Sequence, residues 1–301
     1  MLDVALLGTG GMMPLPSRFL TSLICRLNGH LLMIDCGECT QVTLKMLGFG
    51  FKNIDGICFT HFHADHISGL PGMLLTIGNA GRTEPLFLIG PPGLTQVVKS
   101  LCVIAPELPF AIEFHEWGNK CKPFLLNGFT ISALPMQHSI ACYSYNIEVA
   151  RRGKFDIERA LALNIPKVNW GTLQRGESVE YDGRLYTPDM VLGPPRKGIK
   201  VSYCTDSRPT RDLASFVHGA DLFVCEGIYG ENEKLQKAKE YRHMIFSEAA
   251  TIANEAKVEE LWLTHFSPAM TNPEMFLEAA SSIFPNTVVG KDRMTKTIYF
   301  V

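Results

Sequence analysis

Between positions 61 and 66 the chain reads His61-Phe62-His63-Ala64-Asp65-His66, three imidazoles and a carboxylate within six residues. Neutral imidazole nitrogen and carboxylate oxygen are the donors that suit zinc and similar borderline divalent ions. The stretch follows the apolar run Ile57-Cys58-Phe59 and precedes Ser68-Gly69-Leu70-Pro71-Gly72, so a strand should end where the donors begin. Three further donors each follow an apolar run: His138 after the run Phe129–Leu134 continued through Met136, Asp206 after Ile199–Cys204, and His265 after Leu261–Leu263. A single histidine at a strand end is more often a hydrogen-bonded turn residue, and Asp206, ahead of Ser207 and Pro209, could simply cap a helix. Their joint occurrence points instead to strand ends gathered round one point, which is where open α/β sheets bind ligands.

The elements that must position these donors are partly legible. Asn28-Gly29 lies between Ser22–Leu27 and Leu31–Asp35, and Asn127-Gly128 lies between Phe124–Leu126 and Phe129–Leu134. Asn-Gly accepts positive φ at both central positions of a tight turn, so each pair predicts a hairpin. Residues 2–7, Asp55–Phe59, Leu86–Ile89, Tyr143–Val149, Asp221–Cys225 and Thr297–Val301 read as further strands. Helices are expected at Thr40–Leu47, Met73–Ile77, Leu94–Ile104, Arg211–Val217, Glu233–Tyr241, Ser247–Ala256 and Pro273–Ile283, with Ser247 as an N-cap. Strands alternating with helices imply sheets covered by helices. Residues 151–200 are richer in charge, glycine and proline, with one expected helix at Asp156–Leu163; the segment predicts a protruding arm without a core of its own. The opening Gly8-Thr9-Gly10-Gly11 resembles a dinucleotide-binding turn, but Met13 stands where a third glycine is required, so no nucleotide cofactor is expected.

Composition sets the remaining bounds. In 301 residues, 46% hydrophobic and 19% charged describe a globular chain with a sizeable core. No apolar run approaches the length of a membrane span and no basic segment precedes the first apolar residues, so the expectation is a cytoplasmic protein with no membrane partner. Nine cysteines, an odd number, sit mostly in strand-like runs, where reduced cysteine behaves as a small hydrophobe. Cys36 and Cys39 have CxxC spacing without a second pair. The net charge of −2 argues against bulk attraction to nucleic acid. Residues 151 to 200 nevertheless hold ten Lys or Arg against six Asp or Glu, which suits either a polyanion contact or a solvated face.

Taken together the pattern resembles the metallo-β-lactamase superfamily and, within it, the ribonuclease Z family of tRNA 3′-processing endoribonucleases in its short form. His61 to His66 matches the His-x-His-x-Asp-His signature in full. The likeness extends to the Gly-Thr-Gly opening, to Asp35-Cys36-Gly37-Glu38 with Thr40-Gln41, to the later donors and to the segment before Asp206. The resemblance implies an α/β (α+β) fold, an αββα four-layer sandwich formed as a single domain over residues 1–301. A flexible arm at 151–198 is implied as a tRNA-binding exosite, with Arg151, Arg152, Lys154, Lys167 and Arg175 as its RNA contacts, and the subunits are implied to form a homodimer.

The resemblance further implies two zinc ions per subunit, one held by His61, His63 and His138, the other by Asp65, His66 and His265, with Asp206 shared. Two such ions clamp a transferring phosphoryl group and activate water. The resemblance implies that water so activated would attack the phosphodiester of a tRNA precursor, leaving a tRNA 3′-hydroxyl and a 5′-phosphate on the trailer. Asp65 is implied as ligand and catalytic residue. His243 and Glu226 are implied as the pair that stabilises the transition state or protonates the leaving oxygen. Two departures bear on that pair: Cys225-Glu226-Gly227-Ile228 replaces the family's His-Glu-Ala-Thr, and Met244-Ile245 follows His243 in place of Ser-Thr. Rival readings are another binuclear-zinc hydrolase acting on a small phosphodiester or arylsulfate, and a catalytically silent RNA-binding homologue.

Overall fold

A computed structural model describes residues 1–118 and 121–301. The first half of the chain builds β1 (Leu2–Gly8), β2 (Ser22–Leu27), β3 (His30–Ile34), β4 (Ile54–Cys58), β5 (Leu86–Gly90) and β6 (Ile112–Glu116). Between them run α1 (Thr40–Leu47), the single turn α2 (Ala64–Ile67), α3 (Leu70–Asn79) and α4 (Leu94–Leu101). A second series follows: β7 (Phe124–Leu126), β8 (Phe129–Met136) and β9 (Cys142–Arg151). After α5 (Ile157–Ala162), α6 (Lys167–Gln174), β10 (Val179–Tyr181) and β11 (Arg184–Tyr186), the chain resumes with β12 (Arg196–Cys204), α7 (Leu213–Phe216) and β13 (Leu222–Glu226). It closes with α8 (Leu235–Tyr241), α9 (Phe246–Glu255), β14 (Leu261–Thr264), α10 (Leu277–Ser281), β15 (Thr287–Val289) and β16 (Thr295–Ile298).

All but β10 and β11, which pair with each other, form two seven-stranded sheets, ordered β16-β1-β2-β3-β4-β5-β6 and β15-β14-β13-β12-β9-β8-β7. Both expected hairpins close through left-handed turns, with φ of 50° and 90° at Asn28-Gly29 and of 45° and 91° at Asn127-Gly128. Alternation along each strand sorts its side chains between two layers. Ala5, Leu7, Ile24, Leu31, Met33 and Ile57 pack with α1, α3 and α4, whereas Phe223, Cys225, Leu261 and Leu263 pack with α7, α9 and α10. Their strand neighbours, including Leu2, Val4, Leu6, Leu23, Leu32, Val224 and Trp262, are also fully or almost fully buried and fill the space between the sheets. There Leu126 of β7 packs against Gly56 of β4, and the Tyr145 hydroxyl of β9 donates to the Phe59 carbonyl at 2.7 Å. The order helix, sheet, sheet, helix is the α/β four-layer sandwich expected from the sequence.

Several local expectations need correction. Val149–Ile199, with Phe300–Val301, forms a compact unit of its own. It has a small core, Ala160, Ile165, Leu173, Tyr186 and Val191 with Phe155 and Trp170 against it, and a second helix, α6. The sequence reading allowed it neither, because these residues are scattered over the segment with no period. Ser247 is not an N-cap: α9 starts at Phe246, the Glu248 carboxylate accepts the Ile245 amide at 3.1 Å, and the Ser247 hydroxyl bonds Asn232. The last strand is Thr295–Ile298, earlier than expected, because it pairs with Leu2–Ala5 of β1. Pro273–Ile283 divides into a tight turn at Pro273–Phe276 and α10.

Candidate metal centre

The glycines of the opening loop serve packing at this site. A Cβ at Gly8 would sit 2.0 Å from the Leu20 carbonyl oxygen, and one at Gly11 would sit 2.6 Å from the His265 ring. The loop therefore lies flat against a histidine, and its next amide, that of Met12, donates to Asp65 Oδ2 at 2.7 Å.

Four strands, β4, β8, β12 and β14, end close to one another and deliver the donors: His61, His63, Asp65 and His66 from β4 and α2, His138 after β8, Asp206 after β12, and His265 after β14. Three strand-end residues, Asp35, Asp206 and His265, adopt left-handed backbone with φ of 60°, 46° and 59°. Among non-glycine residues Asp, Asn and His tolerate this region best. The left-handed corner turns each side chain out of its sheet and toward the common centre.

The donors divide into two groups. His61, His63, His138 and Asp206 bring their donor atoms within 4.8 Å of one another, as do Asp65, His66 and His265. Asp206 faces both. Its Oδ1 lies 3.0 Å from His265 Nε2 and 3.2 Å from His66 Nε2, while its Oδ2 lies 3.7 Å from His61 Nε2 and 3.9 Å from His138 Nε2. Asp65 Oδ2 completes the second group at 3.5 Å from His66 Nε2 and 3.6 Å from His265 Nε2. His63 Nδ1 completes the first, at 3.0 Å from His61 Nε2 and 3.2 Å from His138 Nε2. His66 Nε2 and both ring nitrogens of His265 are buried without a hydrogen-bond partner. Buried polar atoms are seldom left so. Five imidazoles and two carboxylates with unpartnered buried nitrogens fit a pair of divalent cations.

Electrostatics gives the same account. Burial disfavours charge on His66 and His265, but Asp206, with Asp35 or Asp65, overcomes it: His66 is pushed well above its ordinary value and His265 to about 10. Asp65 and Asp206 move the other way, their burial outweighed by the imidazoles beside them. His61 and His138 are lowered, chiefly by burial. Asp206, with Asp35 at His66 and Asp65 at His265, thus favours the protonated imidazoles, positive charge that a cation would replace.

Supporting groups fix the donors. Asp35, fully buried, accepts the Thr60 amide at 2.8 Å and the Thr60 hydroxyl at 2.9 Å, and meets His66 Nδ1 at 2.9 Å. This leaves His66 Nε2 to face the centre, the arrangement that orients a metal-ligating histidine. Sequence reasoning gave Asp35 no role at the site, although it too follows an apolar run. Glu226, at the end of β13, meets His243 Nδ1 at 3.1 Å and accepts the Ser207 and Met244 amides at 2.6 and 3.1 Å. Glu226 raises the His243 pKa against the opposing effect of burial. The His243 ring stacks on that of His265 at 5.6 Å between centroids. A cavity of about 440 Å³ opens over the centre, with Met12, Ser139, Glu240, Tyr241 and Arg242 at its wall.

The five basic residues expected to meet RNA lie in the Val149–Ile199 unit. Arg151 bonds the Val301 carbonyl, the Arg152 carbonyl accepts from Arg196, and Arg175 pairs with Glu177 at 3.6 Å. Lys154 and Lys167 are exposed, Lys167 above the Trp170 ring at 5.9 Å.

Two sheets between helix layers, with a histidine-and-aspartate centre at their strand ends, define a protein of the metallo-β-lactamase fold. Solved structures agree. The chain resembles human tRNase Z, short form, at a TM-score of 0.70 and 24% identity, covering 99% of this chain and 100% of that one. It also resembles the metallo-β-lactamase fold protein YhfI from Bacillus subtilis at a TM-score of 0.71 and 19% identity, covering 99% and 100%. A family model described as anti-Pycsar protein Apyc1 matches residues 2–101. Relatives matched over nearly their whole length narrow the class. The ribonuclease Z of Clostridium kluyveri is 56% identical over 301 residues, covering 100% of this chain and 99% of that protein. The ribonuclease Z of Agathobacter rectalis is 55% identical over 300 residues, with the same coverage. The chain belongs to the ribonuclease Z family.

Proposed function

We propose that this chain is the endoribonuclease that removes 3′ trailers from tRNA precursors, leaving a 3′-hydroxyl on the tRNA and a 5′-phosphate on the trailer. The observation that carries this reading is Asp206, whose two oxygens face two separate donor groups. That arrangement suits a pair of ions clamping one phosphoryl group, in a chain whose full-length relatives are ribonucleases Z.

His61, His63 and His138 would hold one zinc ion, Asp65, His66 and His265 the other, and Asp206 both. The ions supply Lewis acidity and lower the pKa of water at the site. Asp65, held by the Met12 amide, orients the attacking water and accepts its proton. In-line attack breaks the bond from phosphorus to the 3′-oxygen, whose electron pair must be taken up. His243 lies over the cavity with its pKa raised by Glu226, so it is positioned to donate a proton to that oxygen. Cys225 and Met244 replace polar residues of the family's motifs beside this pair, yet Glu226 and His243 keep their contact.

The Val149–Ile199 unit is proposed as the exosite, an inserted arm that draws the tRNA by charge through Arg151, Arg152, Lys154, Lys167 and Arg175. We also propose that the protein is a homodimer; Val42, Met46 and Leu75 on α1 and α3 are exposed apolar side chains that a second copy would cover. No described helix is long and apolar enough to cross a membrane. Nine free cysteines suit a reducing compartment and hence a cytoplasmic protein.

The test is cleavage of a trailer-bearing tRNA precursor with the 3′-end of the product mapped, with and without chelator, alongside metal analysis of the purified protein. Zinc-loaded protein that leaves the precursor intact would overturn the processing role, and about one ion or fewer per chain would overturn the binuclear centre.

A further inference from the structure

His243 has its ring tied to Glu226, which also accepts the Met244 amide at 3.1 Å, on the nitrogen side of the peptide that follows His243. The carbonyl of that same peptide is held by Arg208. Its Nη1 donates to the His243 carbonyl oxygen and, at 2.9 Å, to Glu248 Oε2, while its Nη2 donates to Glu248 Oε1. Glu248 in turn accepts the Ile245 amide at 3.1 Å, closing the first turn of α9. The guanidinium therefore spans from the loop after Asp206 to the turn that carries His243, and its fork is matched to a carboxylate that belongs to the same turn. The ion pair is largely buried, with side-chain exposures of 13% and 20%. Burial makes it costly to leave one partner unmatched.

From this geometry we infer that Arg208 is a positioning residue for His243: it sets the imidazole over the cavity by holding the His243 carbonyl against α9. The inference rests on the reading of His243 as acting at the scissile phosphate. Glu226 then holds the ring and the Met244 amide, and Arg208 holds the carbonyl of the same peptide. The Arg208 amide separately donates to the Gln137 carbonyl at 3.1 Å, next to His138. Because that bond uses the main chain, replacing the Arg208 side chain leaves it available and spares the metal donors. Lysine preserves the charge and one donor but not the fork, so Arg208→Lys should restore only part of the function.

The test is a double-mutant cycle on zinc-loaded protein with a trailer-bearing tRNA precursor. Arg208→Ala is expected to lower kcat by about 10- to 100-fold at nearly unchanged KM, the scale on which a displaced catalytic group costs rate. Arg208→Lys should fall between it and the parent. In the His243→Ala background, Arg208→Ala should cost almost nothing further, because the group it positions is gone. A second substrate carries sulfur in place of the 3′-bridging oxygen at the scissile bond. A thiolate leaves without needing a proton, so both single variants should recover most of their loss on it, whereas Asp65→Ala should not.

Additive losses in the cycle, or an Arg208→Ala loss confined to KM, would overturn the positioning role. A variant that loses its zinc is replaced in the cycle by Arg208→Lys, which is judged by the same criterion. If His243→Ala itself costs little in kcat, the reading of His243 fails. Should His243→Ala show the expected sulfur rescue and Arg208→Ala not show it, only the inference about Arg208 fails.

Discussion

In the metal centre His61, His66, Asp206 and His265 are at most 3% exposed, and the charges they carry are matched by one another or by Asp35 and Asp65. In the Val149–Ile199 unit Lys154, Lys167 and Arg175 stand in solvent, and among the described residues their charged partner is Glu177, 3.6 Å from an Arg175 whose side chain is 62% exposed. The difference follows from solvation. A buried charge must find its compensation within a few ångströms, so the centre is fixed donor by donor and every change should be felt sharply. Exposed charges are screened and interchangeable, so the basic unit should respond gradually and to salt.

The largest expected effect tests the sharp side of this contrast. Asp206→Ala removes the residue that faces both donor groups, and turnover should fall on the order of 10³-fold or more, since several kcal/mol of transition-state stabilisation would pass through the ions it is proposed to hold. Metal analysis beside the kinetics should show less than the parent's zinc; a variant with full zinc and parental rate would break the assignment. Next in size is removal of residues 151–198 with a short linker in their place. Cleavage of precursor tRNA should drop by about 100-fold or more in kcat/KM, while hydrolysis of a small phosphodiester persists. Equal loss on both substrates would show that the unit supports the centre instead of the substrate.

Asp35→Ala should weaken zinc binding by roughly 10- to 100-fold without removing any donor, measured by competition with a chelator. The pH dependence of zinc binding sharpens the same point. In the metal-free protein His66 and His265 hold protons above the ordinary histidine value, His265 to about 10. Zinc must displace those protons, so affinity should keep rising between roughly pH 7 and pH 9, where ordinary histidines are already neutral. The same raised pKa values mean that their ion pairs stabilise the metal-free fold fully below pH 6.5 and lose that contribution as pH rises toward 10. A flat affinity above pH 7 would count against the proton-holding arrangement. The smallest effect belongs to the basic unit: Lys154→Ala with Lys167→Ala should raise KM only a few-fold and reduce the salt slope of RNA binding by about one for each phosphate no longer neutralised.

How much of this was legible in the sequence depended on distance along the chain. His61 to His66 could be read because chemistry and spacing coincide in six residues. The hairpins could be read because Asn-Gly pairs do one thing well. His138, Asp206 and His265 could be read only as a set, each being ordinary by itself. Arg208 and Asp35 escaped notice as contributors to the site because their roles lie in partners 35 and 31 residues away, His243 and His66, and no local rule marks them. The core of the Val149–Ile199 unit escaped for a related reason. Ala160, Ile165, Leu173, Tyr186 and Val191 have no common period, and α6 follows Pro166 with too mixed a face to announce itself.

The left-handed corners at Asp35, Asp206 and His265 have a bearing on how such a centre can be probed or can drift. Each position is chosen twice over, once for its side chain and once for a backbone that most side chains resist by roughly 1–2 kcal/mol. Alanine there conflates the two, removing a ligand, or at Asp35 the carboxylate that orients one, while also loading the chain with torsional cost. Asparagine keeps the permissive backbone and a carbonyl oxygen and discards only the charge. Among neutral replacements that keep a side-chain oxygen it is therefore the path by which a lineage could silence Asp206 without also unsettling the strand that presents it.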